Sequence, residues 1–231
     1  SMAIPEWGFM THSGDWKASG RAGRASPTLT PAEDTELGRG WWIAVTGVLV
    51  VAAGLRFWRF LASPLLANDE AALAWSFETR GFLGLLRPLE FSQGAPIGFL
   101  EVSKAFQAFL GATPAVYRLQ PFIVGLLLVL ALATLGRRWL GRDGAIGAAL
   151  LAAVAAPLVN YSVFFKQYSG DVLVTLLLLF SLDQLSSGPP DQRTVRPWIV
   201  TAVLVVVMPW FSHPSIFVFS GGVLCVFAAL W

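Results

Sequence analysis

Hydrophobic residues run through this chain in long blocks, separated by short polar stretches that hold most of the charges. Blocks of this length predict membrane-spanning helices, because a helix needs about 20 mostly apolar residues to cross a bilayer. We therefore expect an all-α, polytopic membrane helical bundle. About six spans are predicted, over residues 41–58, 114–136, 144–165, 168–185, 197–211 and 215–231.

The two ends of the chain break this pattern in different ways. The first forty residues are rich in glycine, serine, threonine, proline and charge, with no apolar period, and predict a disordered tail over residues 1–40. The last predicted span reaches the final residue, Trp231, with nothing polar after it. We expect the sequence to be the N-terminal part of a longer protein, and this part alone to be inactive.

Basic residues in the short connections predict how the bundle faces, because cytoplasmic loops carry an excess of lysine and arginine. The connections after the second and fourth spans hold Arg137, Arg138, Arg142, Arg193 and Arg196. The N-terminus is therefore predicted to be cytoplasmic, and residues 56–113 to lie outside. At the end of the first span, Arg56 and Arg59 are expected to snorkel to the interface.

Composition supports the membrane prediction. Hydrophobic residues make up 55% of the chain and charged residues only 13%, whereas a soluble domain has roughly 25% charged residues. The formal net charge of +2 gives no sign of a nucleic-acid partner. The single cysteine, Cys225, excludes a disulfide within the chain.

The segment between the first two spans is too long to be a simple connector. It holds two helix-like stretches, 70–86 and 98–110, and the second has the apolar face of a helix lying in the interface. Asn68 and Asp69 are expected to cap the first stretch. The carboxylates of Asp69 and Glu70 emerge at the membrane edge, where one could deprotonate a hydroxyl acceptor. The alternative is that Asp69 caps the helix and Glu70 faces solvent.

Other polar residues are predicted on the same face. Lys166 and Tyr168 would suit a phosphate at the membrane surface, or would serve as interfacial anchors. Arg118 either snorkels or neutralises a buried anion, and the sequence leaves both open. Asp171 and His213 are further candidates, although a histidine at a turn is often solvated. Nothing in these patterns requires a metal ion.

A set of short motifs, taken in order, resembles a known family. They are Leu55-Arg56, Pro64-Leu65, Asp69-Glu70-Ala71, Gly94-Ala95-Pro96-Ile97-Gly98-Phe99, Tyr117-Arg118-Leu119, Gly136-Arg137-Arg138, Gly141-Arg142, Tyr161-Ser162, Lys166-Gln167-Tyr168 and Ser212-His213-Pro214. From residue 41 to residue 231, their order and spacing resemble the N-terminal half of bacterial family 39-like membrane glycosyltransferases. That group includes protein O-mannosyltransferases and the aminoarabinose transferase of lipid A.

The resemblance implies a C-type glycosyltransferase fold in the bacterial inner membrane, with the active site on the outer face. It implies inverting transfer of a sugar from a polyprenyl phosphate to an acceptor glycan, lipid or protein. Asp69 would be the general base and Glu70 would orient the acceptor. The donor phosphate would be bound by Lys166, Arg118 and Tyr168.

One departure from the family pattern bears on the substrate. Some relatives have a lysine directly before the proline at Pro96, where this chain has Ala95. Phosphate binding as in the aminoarabinose branch is therefore not implied. Two other classes stay open, a transporter subunit and a non-catalytic membrane scaffold. No internal repeat is visible and the ionisable groups gather at one face, which favours the transferase.

Overall fold

The computed structural model describes residues 31–63, 65–186 and 195–230, and within these ranges the chain is helical, with no strand. It divides into two units, residues 1–37 and 38–231. The α-helices of the described ranges are α1 (Pro31–Leu61), α2 (Asn68–Thr79), α3 (Ile97–Leu110), α4 (Pro114–Tyr117), α5 (Leu119–Leu135), α6 (Arg137–Val154), α7 (Ala156–Tyr161), α8 (Tyr168–Ser186), α9 (Val195–Val207) and α10 (Ser215–Leu230).

Three stretches are long and apolar enough to cross a membrane: Gly38–Leu61, Pro114–Leu135 and Tyr168–Leu185. They match the first, second and fourth predicted spans. An all-helical chain with such segments indicates a membrane protein, because helices satisfy their own backbone hydrogen bonds in lipid. The all-α class and the membrane setting are confirmed at this level.

Of the other three predicted spans, two are divided between helices, and residues 215–231 correspond to the single helix α10, Ser215–Leu230. Residues 144–165 are divided at Ala155 between α6 and α7, and residues 197–211 comprise most of α9 and a short 3-10 helix, Met208–Trp210. The apolar helices Val195–Trp210 and Ser215–Cys225 are shorter than a span. A count of six spans therefore stays a prediction.

The predicted tail ends earlier than expected. Residues 31–40 form the first turns of α1, whereas residues 1–30 lie outside the described residues. The local sequence explains the helix, because proline is favoured at the first helical position and acidic residues such as Glu33 and Asp34 suit the positive end of the helix dipole.

The core between α1, α5 and α6 is built mainly from small residues. One stripe of α1, at positions 41, 45, 48 and 52, is buried against alanine and valine side chains of the other two helices, and Arg56 continues the same stripe. Small side chains let membrane helices approach closely. Gly125 of α5 lies close to the residue that follows α7, since a Cβ there would lie 2.1 Å from Ser162 Oγ.

We call the end of the bundle that carries residues 62–113, 155–167 and 208–214 the loop end. The long segment between α1 and α4 folds over it and buries an aromatic and aliphatic cluster of Leu73, Ala74, Phe77, Leu85, Phe99, Leu100, Tyr117 and Phe165. Helix α3 lies close to the 3-10 helix 208–210, because Gly98 has no side chain to meet the Trp210 carbonyl oxygen.

Helix α3 has nearly the predicted bounds, Ile97–Leu110 against residues 98–110. Phe99, Leu100 and Ser103 are buried, whereas Phe109 at its end is 86% exposed. The Ser103 hydroxyl donates to Gln120 Oε1 of α5, which turns this polar face inward. The apolar outer face, with Phe109, is the one left to the surroundings.

Candidate functional site

A buried ion pair occupies the centre of the loop end. Arg118 Nε donates to Glu70 Oε1 at 2.8 Å and Arg118 Nη2 to Glu70 Oε2 at 2.5 Å, with Glu70 fully buried. Arg118 also donates to the carbonyl oxygens of Ser63 and Leu65. Because the guanidinium is bidentate on the carboxylate, each charge is neutralised by the other.

Glu70 also accepts two backbone hydrogen bonds. The amide of Ala67 donates to Oε2 at 2.8 Å, and the amide of Phe165, far along the chain, donates to Oε1 at 2.7 Å. Burial alone would raise the pKa of Glu70, but Arg118 and the two amides outweigh it and hold that pKa below its ordinary value. Glu70 is therefore a structural anion that joins three segments.

The ion pair settles several sequence expectations. Of the two readings of Arg118, neutralisation of a buried anion is the one that the structure shows, and its predicted contact with a donor phosphate stays a prediction. Glu70 is buried and does not face solvent, whereas its predicted role in orienting the acceptor stays a prediction. The N-cap of α2 is Ala67 instead of Asn68 or Asp69. Glu70 at the third helical position supplies the polar contact by accepting from the Ala67 amide.

Lys166 follows Phe165, whose ring is fully buried in the aromatic cluster and fixes the backbone at this point. Phe165 stacks on Tyr117 at 5.1 Å between ring centroids and meets Phe77 edge-on at 5.3 Å. Lys166 is 6% exposed, and its ammonium donates to Gln93 Oε1. Gln93 follows two residues with left-handed backbone, Phe91 and Ser92, at φ 55° and 53°. A strained turn thus holds the amide acceptor that Lys166 meets.

Lys166 is also near the acidic start of α2. Burial lowers the pKa of Lys166, while the negative charges of Asp69 and Glu70 oppose that shift. Glu70 is already neutralised by Arg118, so the exposed carboxylate of Asp69 is the unpaired negative charge on this side of Lys166. The predicted base and the predicted phosphate ligand therefore lie within electrostatic reach of each other.

An apolar cavity of about 240 Å³ opens beside Lys166, and we call it the Lys166 groove. It runs between α5 and α8, from Gln120 to Val124 on one wall and from Gly170 to Leu177 on the other. The seven steps from Gly170 to Leu177 cover about 10 Å at about 1.5 Å per residue, so the groove follows α8 for about two turns. Lys166 and Gln167 are polar groups in its lining.

A second cavity, of about 500 Å³, lies at the end of α1, and we call it the Arg59 cavity. Arg59 Nε donates to Asn160 Oδ1 at 2.8 Å, and Nη1 donates to the hydroxyl of Ser63. Tyr161 and the Glu70–Arg118 pair also line it. The sequence analysis missed this cavity, although Arg59 three residues after Arg56 at a span end was a usable signal.

The sequence predicts that Arg56 snorkels to the interface, but this prediction is wrong, because Arg56 is fully buried. Its guanidinium donates to Ser162 Oγ at 3.0 Å, and to the carbonyl oxygens of Ala152 and Ala153, each at 3.1 Å. Pro157 has no amide hydrogen to offer Ala153, and α6 ends just beyond it. Arg56 thus satisfies carbonyl groups that the break between α6 and α7 leaves open.

The remaining predicted site residues lie around the outer turn of α8. Tyr168 is 41% exposed and stands edge-on to Tyr161, with ring centroids 5.0 Å apart. Asp171 lies beside Ser212 and the exposed His213, yet Asp171 Oδ1 and Ser212 Oγ are buried without a hydrogen bond in the described part of the chain. None of these three predicted residues lines either cavity.

Among the described residues, no group of three or more histidine, cysteine, aspartate or glutamate side chains is arranged to hold a metal ion. Comparison with protein-family models, curated proteins and solved structures finds no match to this chain. The site must therefore be interpreted from its own geometry, in which Lys166 lines an apolar groove and Asp69 lies within electrostatic reach of Lys166.

Proposed function

We propose that the protein is a membrane glycosyltransferase of the C type, which moves a sugar from a polyprenyl phosphate to a hydroxyl-bearing acceptor. The observation that carries the proposal is the Lys166 groove: a lysine ammonium stands at an apolar cavity that runs between two helices. A lipid phosphate has the matching form, with an anionic head and a hydrocarbon tail. The order of sequence motifs supports the same family.

The chemistry follows from the positions of Asp69 and Lys166. The Asp69 carboxylate takes the proton of the acceptor hydroxyl, and that oxygen forms a bond to the anomeric carbon of the sugar. The bond between this carbon and the phosphate oxygen breaks, and the lipid phosphate leaves with the electron pair. The ammonium of Lys166 stabilises the charge that grows on the phosphate. Attack opposite the leaving group inverts the anomeric centre.

In this proposal the other predicted residues act indirectly. Glu70 and Arg118 hold the start of α2 against the 162–167 turn, because Glu70 bonds to both Arg118 and the Phe165 amide. They are positioning residues that set the separation of Asp69 from Lys166. When the donor binds, the Lys166 ammonium would exchange its hydrogen bond to Gln93 for one to the phosphate.

The orientation and setting complete the proposal. We place the loop end on the outer face of a bacterial inner membrane and the N-terminus in the cytoplasm, because the opposite end of the bundle carries Arg137, Arg138 and Arg196. There Arg138 pairs with Asp183, and Arg137 lies over the Trp41 ring, 4.4 Å from its centroid.

The test is transfer of radiolabelled sugar from polyprenyl phosphate donors by membranes that contain the full-length protein. Asp69→Asn is expected to abolish transfer with expression unchanged, because the base is removed while the side-chain shape is kept. Asp143→Asn, at an exposed position of α6, is the matched control and should retain activity. Equal activity of Asp69→Asn and the natural protein would exclude Asp69 as the base. No transfer from any donor, by correctly inserted protein, would favour the transporter or scaffold class.

A further inference from the structure

The Arg59 cavity has an electrostatic character that the proposed function does not use. Its ionisable lining residues of permanent charge are Arg59, Glu70 and Arg118. Glu70 and Arg118 neutralise each other through two hydrogen bonds. Among the described residues, Arg59 is bonded to the neutral side chains of Asn160 and Ser63 and to no carboxylate. The cavity therefore carries one uncompensated positive charge.

The guanidinium of Arg59 is also oriented. Its Nε atom donates to Asn160 on α7, and its Nη1 atom donates to Ser63, four residues further along the chain. Its Nη2 atom makes no hydrogen bond with any of the described residues, so two N–H donors stay available. A guanidinium held in one plane with free donors is suited to a phosphate, whose oxygens match its geometry.

The rest of the lining fits an anion that carries an apolar part. Its lining includes the apolar residues Leu65, Leu66, Val163 and Phe164 as well as Tyr161. At about 500 Å³ the cavity has roughly the size of a small-molecule site. Because α1 reaches it directly from a candidate span, the cavity lies at the level where lipid headgroups are expected.

We propose that the Arg59 cavity is a second, phosphate-binding site, distinct from the Lys166 groove. It takes a phosphate monoester or diester, either as a lipid headgroup at the membrane surface or as a free phosphate. Arg59 makes the charge-assisted hydrogen bonds through Nη2, with Asn160 and Ser63 holding its plane. This inference does not rest on the proposed transferase activity, because no donor sugar or reaction step enters it.

The test uses the full-length protein in nanodiscs of phosphatidylcholine. In one arm, a trace of spin-labelled phosphatidylglycerol reports the fraction of lipid immobilised on the protein. In the other arm, equilibrium binding of radiolabelled inorganic phosphate is measured. Binding in the first arm alone identifies a lipid headgroup, and binding in the second arm identifies free phosphate as a ligand.

Arg59→Gln is expected to weaken the observed binding about tenfold, since it removes a charge-assisted contact worth at least that ratio. Arg87→Gln removes one charge from an exposed position of the same loop end and should leave binding unchanged. Because Arg59→Gln could misfold, Asn160→Asp gives a second route: it keeps the arginine and neutralises it, with the same expected loss.

Two outcomes would overturn the inference. One is binding that is equally strong in the natural protein, Arg59→Gln and Asn160→Asp, which would place the anion elsewhere. The other is equal loss in the Arg87→Gln control, which would reduce the effect to general surface charge. Loss of sugar transfer through Asp69→Asn, with anion binding intact, would leave both proposals standing and separate.

Discussion

The two cavities of the loop end are lined by neighbouring segments of the chain but differ in size and polarity. Residues 160–164 contribute to the Arg59 cavity and residues 166–167 to the Lys166 groove, with buried Phe165 between them in the chain. The Lys166 groove is lined mainly by apolar residues. The Arg59 cavity has twice the volume, about 500 Å³ against 240 Å³, and more polar contacts at its cation.

The difference teaches how one end of a small bundle can select two anionic ligands. In the groove, affinity would come from the hydrocarbon tail, and the lysine adds a mobile point charge. In the Arg59 cavity, affinity would come from the fixed guanidinium. The Glu70–Arg118 pair lines the Arg59 cavity and holds the backbone of Phe165, which lies between the two cavities in the chain.

The largest effect is expected from breaking that pair. Glu70→Gln leaves Arg118 buried and unpaired, and removing one partner of a buried ion pair costs about 3–5 kcal/mol. We expect a large drop in the midpoint of unfolding by SDS. Asp69→Asn, at the exposed neighbouring position, is the matched control and should change the midpoint little. An unchanged midpoint in Glu70→Gln would contradict the stabilising role of the pair.

The same pair predicts an acid-sensitive stability. The pKa of Glu70 is lower in the folded protein than its ordinary value of 4.5. Its stabilising contribution is therefore complete above about 4.5 and is lost as the pH falls through the lower folded value. Unfolding measured between neutral and acid pH should show this loss in the natural protein and not in Glu70→Gln.

A smaller loss of stability is expected when a methyl group is added at Gly125, which lies close to Ser162 and Arg56. In Gly125→Ala, the new methyl group would lie 2.1 Å from Ser162 Oγ and 3.2 Å from Arg56 Nε. Overpacking of this kind costs about 1–3 kcal/mol. Gly147→Ala on α6 is the control, because a Cβ there meets nothing within 4 Å and should be neutral or mildly stabilising.

Lys166 should give a pH effect that Arg59 does not. Burial lowers the pKa of Lys166, so its positive charge is lost at a lower pH than that of an ordinary lysine. Binding of farnesyl phosphate should weaken about tenfold as the pH rises through that range, as expected for a lost charge-assisted bond. In Lys166→Arg the charge persists, and the pH dependence should disappear. A pH dependence retained in Lys166→Arg would argue against Lys166 as the phosphate ligand.

The smallest effect concerns the apolar wall of the groove. Val124→Phe fills part of it, and filling a packed space costs about 1 kcal/mol or more, equivalent to about fivefold in farnesyl phosphate affinity. Ile123→Phe, on the same helix but 39% exposed, should leave that affinity unchanged. Anion binding to the Arg59 cavity should be untouched by both changes. Equal losses in the two variants would mean that the tail lies outside the groove.

The local features of the fold were accessible from the sequence. The spans around residues 41–58, 114–136 and 168–185 follow from apolar runs, and α3 follows from its periodic apolar positions. The broken helix at 144–165 was missed because apolar length outweighed Pro157, which ends α6 by removing a backbone donor. The start of α1 was missed because its first turns are polar and resemble a tail.

The site was predictable as a set of residue types and not as a set of contacts. Arg118 and Lys166 stood out because charges at a span end are costly. The partner of Arg118 lies 48 residues away and the acceptor of Lys166 lies 73 residues away, and no local pattern encodes such pairs. Glu70 illustrates the consequence, since its neighbour Asp69 is exposed while Glu70 itself is buried.

The burial of Arg56 depends on the order in which the helices are synthesised. Its carbonyl partners on α6 lie 96 and 97 residues further along the chain, so they do not yet exist when the first apolar helix leaves the ribosome. Until they arrive, the guanidinium must stay hydrated at the membrane edge. Arrival of the Ala152–Pro157 segment then draws it inward. Arg56 therefore becomes buried only after the later helices have been inserted.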